Sequence, residues 1–471
     1  MYGKNKIPDS LWLFVAIALV LSFIWSPNFL LSIPIFMYLP FLYRLFFVKG
    51  DANVLFWGLL LQWFSVSAQL IYCNVMGMHI NELFLNTIFP AALMEYTDYL
   101  SIAGVYFFTL GVYTPLRKTK ITVPITAWDA YDPKKIFQVY IVASIIINAS
   151  QFAIWAFPSL VQYFFFFFYI KWGFFLITFI SIFKRQPDLK IFLFMVIGFE
   201  FVLGLSSYFA SNFINIVIFS LIGYVSIAKK ITIFRGTIFA IIGALLFHMS
   251  VLWTASKTTY RNYLNKGQAI QTVKVSKDEA RAKLLELITH VDERTYRAAI
   301  EDVVNRIGYI QYFAAAVRFV PDRIPYEDGK IYWSAVEHFL VPRFINPDKP
   351  ILDDSKHTNK YTGLGLSGKE RGTSFSLGSF ADAYIDFGPI FMVIPIFLFG
   401  TLFGYFFRTL YKTTIWGIIL TGPFFLLVNV YGADTIKALG FILIYFVVMI
   451  AARRYLIEYI DPWMRKSTEQ I

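Results

Sequence analysis

The chain has 471 residues, is 58% hydrophobic and contains 52 phenylalanines, with a mean hydropathy of +0.60. That is more apolar than a water-soluble domain, and apolar runs of about 20 residues, each able to cross a bilayer core as a helix, overrule the two or three soluble domains that length alone would suggest. The net charge of +12 does not point to nucleic acid until its cations are assigned to loops, and the single cysteine, Cys73, excludes an internal disulfide.

In chain order, the first apolar run begins at Leu11, lacks a small-residue cleavage site and reads as a retained span rather than a signal peptide. Spans are expected at 10–26, 28–43, 53–73, 97–113, 136–157, 160–183, 191–208, 210–228, 231–254, 387–407, 413–431 and 435–451. The interrupted apolar stretch 83–95 is expected to lie at the interface or dip in. Only Ser206-Ser207 and Asn212 separate the seventh span from the eighth. The sequence therefore predicts an all-α polytopic membrane protein of about twelve transmembrane helices. Residues 1–254 form a bundle of nine spans, 255–386 a large external loop, and 387–471 three spans and a tail.

Cation placement sets the expected orientation. Lys4 and Lys6, Arg44 and Lys49, Arg117 to Lys135, Lys184 to Lys190, Lys229 to Arg235, Arg408 and Lys412, and Arg453 to Lys466 fall in one set of connections. The short connections near 27, 74–96, 158, 209 and 432 carry no Lys or Arg. The positive-inside rule then puts both termini in the cytoplasm and the loop 255–386 outside.

That loop contains helical signals of its own. Ser276-Lys-Asp-Glu279 reads as a capping box. An apolar stripe follows from Val291 through Tyr296, Ile300, Val303, Ile307, Ile310 and Phe313 to Val317 at spacings of three and four. Two amphipathic helices are expected to lie against the membrane or the bundle. After Pro321 the pattern becomes irregular and rich in proline and glycine.

The loop also concentrates the chemistry. Its cations include Arg261, Arg306, Arg318, Arg323, Arg343, Lys349, Lys356, Lys369 and Arg371. Arginine suits phosphate because its planar fork binds two oxygens and keeps its charge, although any one of these cations can equally be a solvated loop residue. Gly363-Leu-Gly-Leu-Ser-Gly368 matches GxGxxG without a surrounding βαβ pattern. It reads as a mobile loop or, with Lys369 and Arg371, an anion nest. His357 is placed to act as a general base or to be plain loop surface. His338 reads as structural. Asp382 and Asp386 sit where the loop re-enters the tenth span, as base, orienting group or helix-terminus charge. Near mid-span, Lys171 and Glu200 require partners and are expected to pair with each other or to line a cavity. Gly400-x-x-x-Gly404 reads as a helix-packing motif. No His or Cys spacing indicates a metal.

Two segments carry a family resemblance. Phe339-Leu-Val-Pro-Arg343-Phe-Ile-Asn-Pro-Asp-Lys349-Pro350, and Gly372-Thr-Ser-Phe-Ser-Leu-Gly378 through Ala381-Asp-Ala-Tyr384 to Phe387-Gly388, are similar to loop and span-entry elements of O-antigen polymerases. These are Wzy-type oligosaccharide repeat-unit polymerases, GT-C-like membrane glycosyltransferases related to O-antigen ligases. The resemblance implies an enzyme of the bacterial inner membrane. It would move a growing glycan from undecaprenyl diphosphate onto a lipid-linked repeat unit, in O-antigen, exopolysaccharide or capsule biosynthesis. It implies no cofactor or metal, and a chain-length regulator and a flippase as partners beside the bilayer and lipid-linked oligosaccharides. Carried onto this chain, Arg343 and Arg371 would hold diphosphate and His357 or Asp382 would activate the acceptor; the loop's own cations add Arg261 and Lys369 to the diphosphate-binding candidates. A ligase acting on another acceptor, and a non-enzymatic transporter using Lys171 and Glu200, are the alternatives.

Overall fold

The computed structural model describes residues 6–49, 51–119, 125–154, 161–206, 211–228, 233–267, 274–341, 352–368, 373–411 and 415–466. Among these every regular element is a helix, and there is no strand. In order, α1 is Asp9–Trp25, α2 Phe29–Phe46, α3 Val54–Met76, α4 Met94–Tyr113, α5 Pro133–Ile154 and α6 Val161–Arg185. Next come α7 (Lys190–Ser206), α8 (Ser211–Ile227) and α9 (Ile233–Leu264). The loop supplies α10 (Lys277–Thr289), α11 (Glu293–Gly308), α12 (Ile310–Phe319), α13 (Lys330–Leu340) and α14 (Asp354–Thr362). The chain ends with α15 (Ser379–Phe391), α16 (Val393–Leu410), α17 (Ile415–Thr421), α18 (Phe424–Leu427), α19 (Thr435–Tyr455) and α20 (Asp461–Met464).

Helix occupies every interval where a span was expected. By length and composition, however, only five described helices can cross a membrane: Phe29–Phe46, Val54–Met76, Arg235–Leu264, Val393–Leu410 and Thr435–Met464. Shorter apolar helices run Asp9–Trp25, Asn215–Ile227 and Ile415–Leu427. Two departures from the expected spans have local causes. The interval 413–431 is not one helix, because Pro423 has no amide to donate and breaks the ladder after Gly422. The interval 387–407 is interrupted at Gly388-Pro389, where Gly388 adopts φ 72° and kinks α15 near its end. The stretch 83–95 is a pair of short 3-10 turns, Ile80–Phe84 and Ala91–Leu93.

The outward faces of α1 and α9 are apolar. Phe14, Ile17, Leu21 and Phe23 on α1 and Ile241, Leu245 and Met249 on α9 are exposed. A continuous apolar surface of this kind calls for a nonaqueous surrounding.

The loop is not a separate body. The Ser276–Glu279 capping box forms as expected. The expected stripe from Val291 is broken at Tyr309, so α11 and α12 meet at a bend. α11 packs on α9 through Ala299, Val303 and Val251, and also on α3. α12 packs on α4, and α13 lies along α19.

The closest helix packing joins α4 to α16. A Cβ on Gly400 would strike the Phe108 carbonyl, and one on Gly404 the Val112 carbonyl, so the GxxxG spacing permits backbone contact. This pair anchors α15 and, through it, Asp382. Gly400→Leu is expected to destabilise the purified protein by about 1–3 kcal/mol. The measurement is the melting temperature in detergent, and an unchanged value would show that this contact does not hold α16 in place.

Candidate functional site

Three elements converge at one end of the bundle. α14 starts where the Asp353 side chain accepts from Lys356 N at 3.2 Å, and stops at Gly363 with φ 67°. α15 starts after Gly378, with φ 98°, and carries Asp382 one turn in. α19 starts at Thr435 after a non-helical segment, 428–434, that follows the broken helices α17 and α18.

Asp382 joins all three. Its Oδ1 lies 2.7 Å from His357 Nε2, and its Oδ2 accepts from Thr435 N at 2.7 Å. The Asp382 side chain is 1% exposed, whereas that of His357 is 27% exposed. The ionised carboxylate only accepts, so it fixes a proton on Nε2 and leaves Nδ1 as the nitrogen that can take up or release one. Burial disfavours the imidazolium, but the Asp382 charge and hydrogen bond outweigh it and raise the His357 pKa from 6.5 to about 9.

Asp434 is the second buried carboxylate here. Its Oδ1 accepts from Ser376 Oγ and Leu377 N, each at 2.7 Å, and from Gly378 N at 3.1 Å. These bonds fasten the segment before α15 to the start of α19. Burial and the neighbouring Asp382 charge push the Asp434 carboxyl up to about 6, with His357 opposing. Asp354 accepts from Ser374 Oγ at 2.6 Å and pairs with Lys437. Glu327 accepts from Lys360 Nζ and Tyr361 Oη, each at 2.9 Å, and its carboxyl lies below the usual range, first because of the Lys360 bond. Asp386 caps α13, accepting from Ile331 N at 3.1 Å and Tyr332 N at 3.0 Å.

Around this frame lies a cavity of about 320 Å³. Its carboxylates are Glu327, Asp353, Asp354, Asp382 and Asp434; its cations are Lys330, His357 and Lys360. Acids therefore outnumber bases. The cavity suits a ligand that offers hydroxyls to carboxylates better than one that brings further negative charge.

His357, Asp382 and Asp434 place ligating atoms within 4.8 Å of one another, a donor set suited to a divalent ion that the sequence spacing did not announce. The protein's own donors already engage both Asp382 oxygens and Asp434 Oδ1. Within the cluster His357 and Asp382 bond each other, and Asp434 bonds the segment before α15 instead.

Of the residues singled out in the sequence, His357 and Asp382 meet. Asp382, expected as base, orienting group or helix-terminus charge, lines the cavity with both oxygens hydrogen-bonded, an arrangement that favours the orienting role. Asp386 serves as a helix cap. Arg261 is exposed in the last turn of α9 and does not line this cavity. Arg343, Lys369 and Arg371 lie outside the described residues. Gly363-x-Gly365 forms a loop pinned to α14, with Asn359 Nδ2 donating to Leu366 O and Leu366 N donating to Asn359 Oδ1, both at 2.7 Å. Lys171 and Glu200 pair at 2.6 Å, both buried, between α6 and α7. Sequence reasoning missed Asp434, Asp354, Glu327, Lys360 and Lys437. Two signals were available: Asp434 is a carboxylate in a short apolar connection, and Lys437 is a charge one turn inside an apolar helix.

Because the His357 pKa is raised, its pairing contributes stability fully below about pH 6.5, and that contribution is lost as pH rises through 9. NMR titration is expected to find the His357 midpoint near 9. Asp382→Asn should lower the midpoint by about 1–3 pH units, because one close negative charge is removed. A midpoint unmoved by Asp382→Asn would mean that the two side chains are not paired in solution.

Among curated proteins and solved structures, none matches the chain. A family model described as a domain of unknown function (DUF8712) matches residues 98–414, which run from α4 through the whole loop to the end of α16. The match spans more than half of the sequence and takes in His357 and Asp382, and the chain belongs to the DUF8712 family.

Proposed function

We propose that this protein is a membrane glycosyltransferase of the oligosaccharide repeat-unit polymerase type. In this reading it lies in the bacterial inner membrane with twelve spans, both termini in the cytoplasm and the His357 cavity outside. The observation that carries the reading is the His357–Asp382 pair, 2.7 Å apart, at the edge of a hydroxyl-suited cavity over apolar helices.

The chemistry follows from the geometry. A sugar hydroxyl of the incoming lipid-linked unit gives its proton to His357 Nδ1. The oxygen forms a bond to the anomeric carbon of the growing chain, and the bond from that carbon to the lipid diphosphate breaks. The electron pair leaves with the diphosphate. Asp382 holds the imidazole in its working tautomer and stabilises the imidazolium that forms. Cations neutralise the departing diphosphate. Arg343 and Arg371 keep that role as a proposal carried from the family resemblance.

The paired Lys171 and Glu200 satisfy each other, so no observation favours their use as a transport coupling site. A ligase would use the same chemistry on a different acceptor, and the product distinguishes the two.

Surface glycan from a deletion strain should resolve on a gel as single repeat units, and complementation with the intact gene should restore long chains. Complementation with His357→Ala should leave single units. Full-length polymer that is merely unattached would sink the polymerase reading in favour of a ligase.

Since the base form of His357 is the neutral one, elongation in proteoliposomes should rise with pH through the neutral range and level off near pH 9. Asp382→Asn should be slower at every pH and level off at lower pH. A rate that falls from pH 6 to 9 would rule out His357 as the base.

A further inference from the structure

The carboxylate-lined cavity has no evident place for a phosphate. A second group of side chains on the described structure does. Lys257 and Arg261 stand four residues apart on α9 and share a face. α11 packs against this part of α9 and brings Arg306 from its last turn. Arg306 and Arg261 are the cations that act most on Lys257, and Asp302 is the acid that opposes them. Three positive charges thus meet one negative charge. Among the described residues none of the three forms an ion pair. Cations gathered this way repel one another until an anion joins them.

Tyr309 connects this group to the His357 cavity. Its hydroxyl lies within electrostatic reach of Arg306 and also of Asp434 and Asp354. Tyr309 holds φ 55°, a left-handed conformation uncommon for a bulky side chain and one that tends to persist at ligand sites. Its ring centroid is 5.5 Å from that of Tyr312, which is 6.0 Å from that of Phe375. Phe375 belongs to the segment that Asp434 fastens to α19. The three rings, tilted by 42° and 43° to one another, form a stepped shelf from Tyr309 to the segment before α15.

We propose that Lys257, Arg261 and Arg306 form a phosphate-binding subsite, joined to the His357 cavity by the shelf of Tyr309 and Tyr312. The assignment rests on the glycosyl-transfer reading for its place in the reaction, and on the cations alone for its chemistry. Each arginine offers two parallel N–H groups to phosphate oxygens, and the lysine adds a point charge. The shelf gives the sugar next to the phosphate a series of aromatic faces to rest on.

The test uses the full-length protein in phosphatidylcholine nanodiscs, titrated calorimetrically with inorganic diphosphate. Saturable binding is expected. Lys257→Gln, Arg261→Gln and Arg306→Gln should each weaken it about tenfold, as loss of one charged hydrogen bond does. Arg297→Gln, a cation already paired with Glu293 at 2.6 Å, should leave it unchanged. Absence of saturable binding, or equal weakening by Arg297→Gln, overturns the subsite. In nanodiscs that also contain phosphatidylglycerol, displacement of diphosphate would identify a lipid headgroup as the natural occupant. Persistence of binding there would identify a diphosphate-bearing substrate, and both results sustain the phosphate chemistry. His357→Ala should bind diphosphate like the intact protein. If diphosphate binds as described while the deletion strain still makes long glycan, the reaction reading fails and the subsite stands.

Discussion

The site depends on one buried carboxylate. Asp382 takes His357 on one oxygen and the first amide of α19 on the other. A buried carboxylate is costly unless it is paired and hydrogen-bonded, and here both conditions are met. The same group therefore does two things. It ties a loop helix and an apolar helix to α15, and it governs the protonation of the His357 ring at the cavity. Removing its charge would alter the chemistry and the architecture together, which is why the isosteric asparagine is the informative substitution.

What allows the carboxylate to sit there is interrupted helix. α15 is kinked at Gly388-Pro389 before the apolar run of α16 begins, and α17 and α18 end well short of α19. The non-helical segment 428–434 leaves Asp434 free to gather the hydroxyl of Ser376 and two amides of the facing loop. Irregular backbone among apolar helices is tolerated where it is buried in protein or lines a cavity, since its amides and carbonyls need partners. The breaks and the site are thus one feature. Underneath, the glycines of α16 press against α4 and give this assembly a rigid base.

The polar inventory is arranged in two halves. Carboxylates dominate around His357, whereas unpaired cations gather on α9 and α11 beyond Tyr309. The glycosyl transfer proposed above would use such a division, because its nucleophile must lose a proton while its leaving group gains charge. Lys171 and Glu200 stand apart from both halves and neutralise each other.

The sequence by itself determined the helices, since apolar runs, a capping box and the three-and-four stripe are local patterns that local geometry enforces. It also marked His357 and Asp382 by chemistry. It could not show that they touch, because they are 25 residues apart and meet only because α14 and α15 both pack on α12. Nor could it reveal the Asp382 bond to Thr435, 53 residues away, or the place of Asp434. Hydropathy drew one span over 413–431 where a proline divides it, and one stripe from Val291 where Tyr309 bends it. Composition and periodicity are properties of neighbours along the chain. A hydrogen-bonded site built from α14, α15 and α19 is a property of neighbours in space, and only the tertiary structure decides which those are.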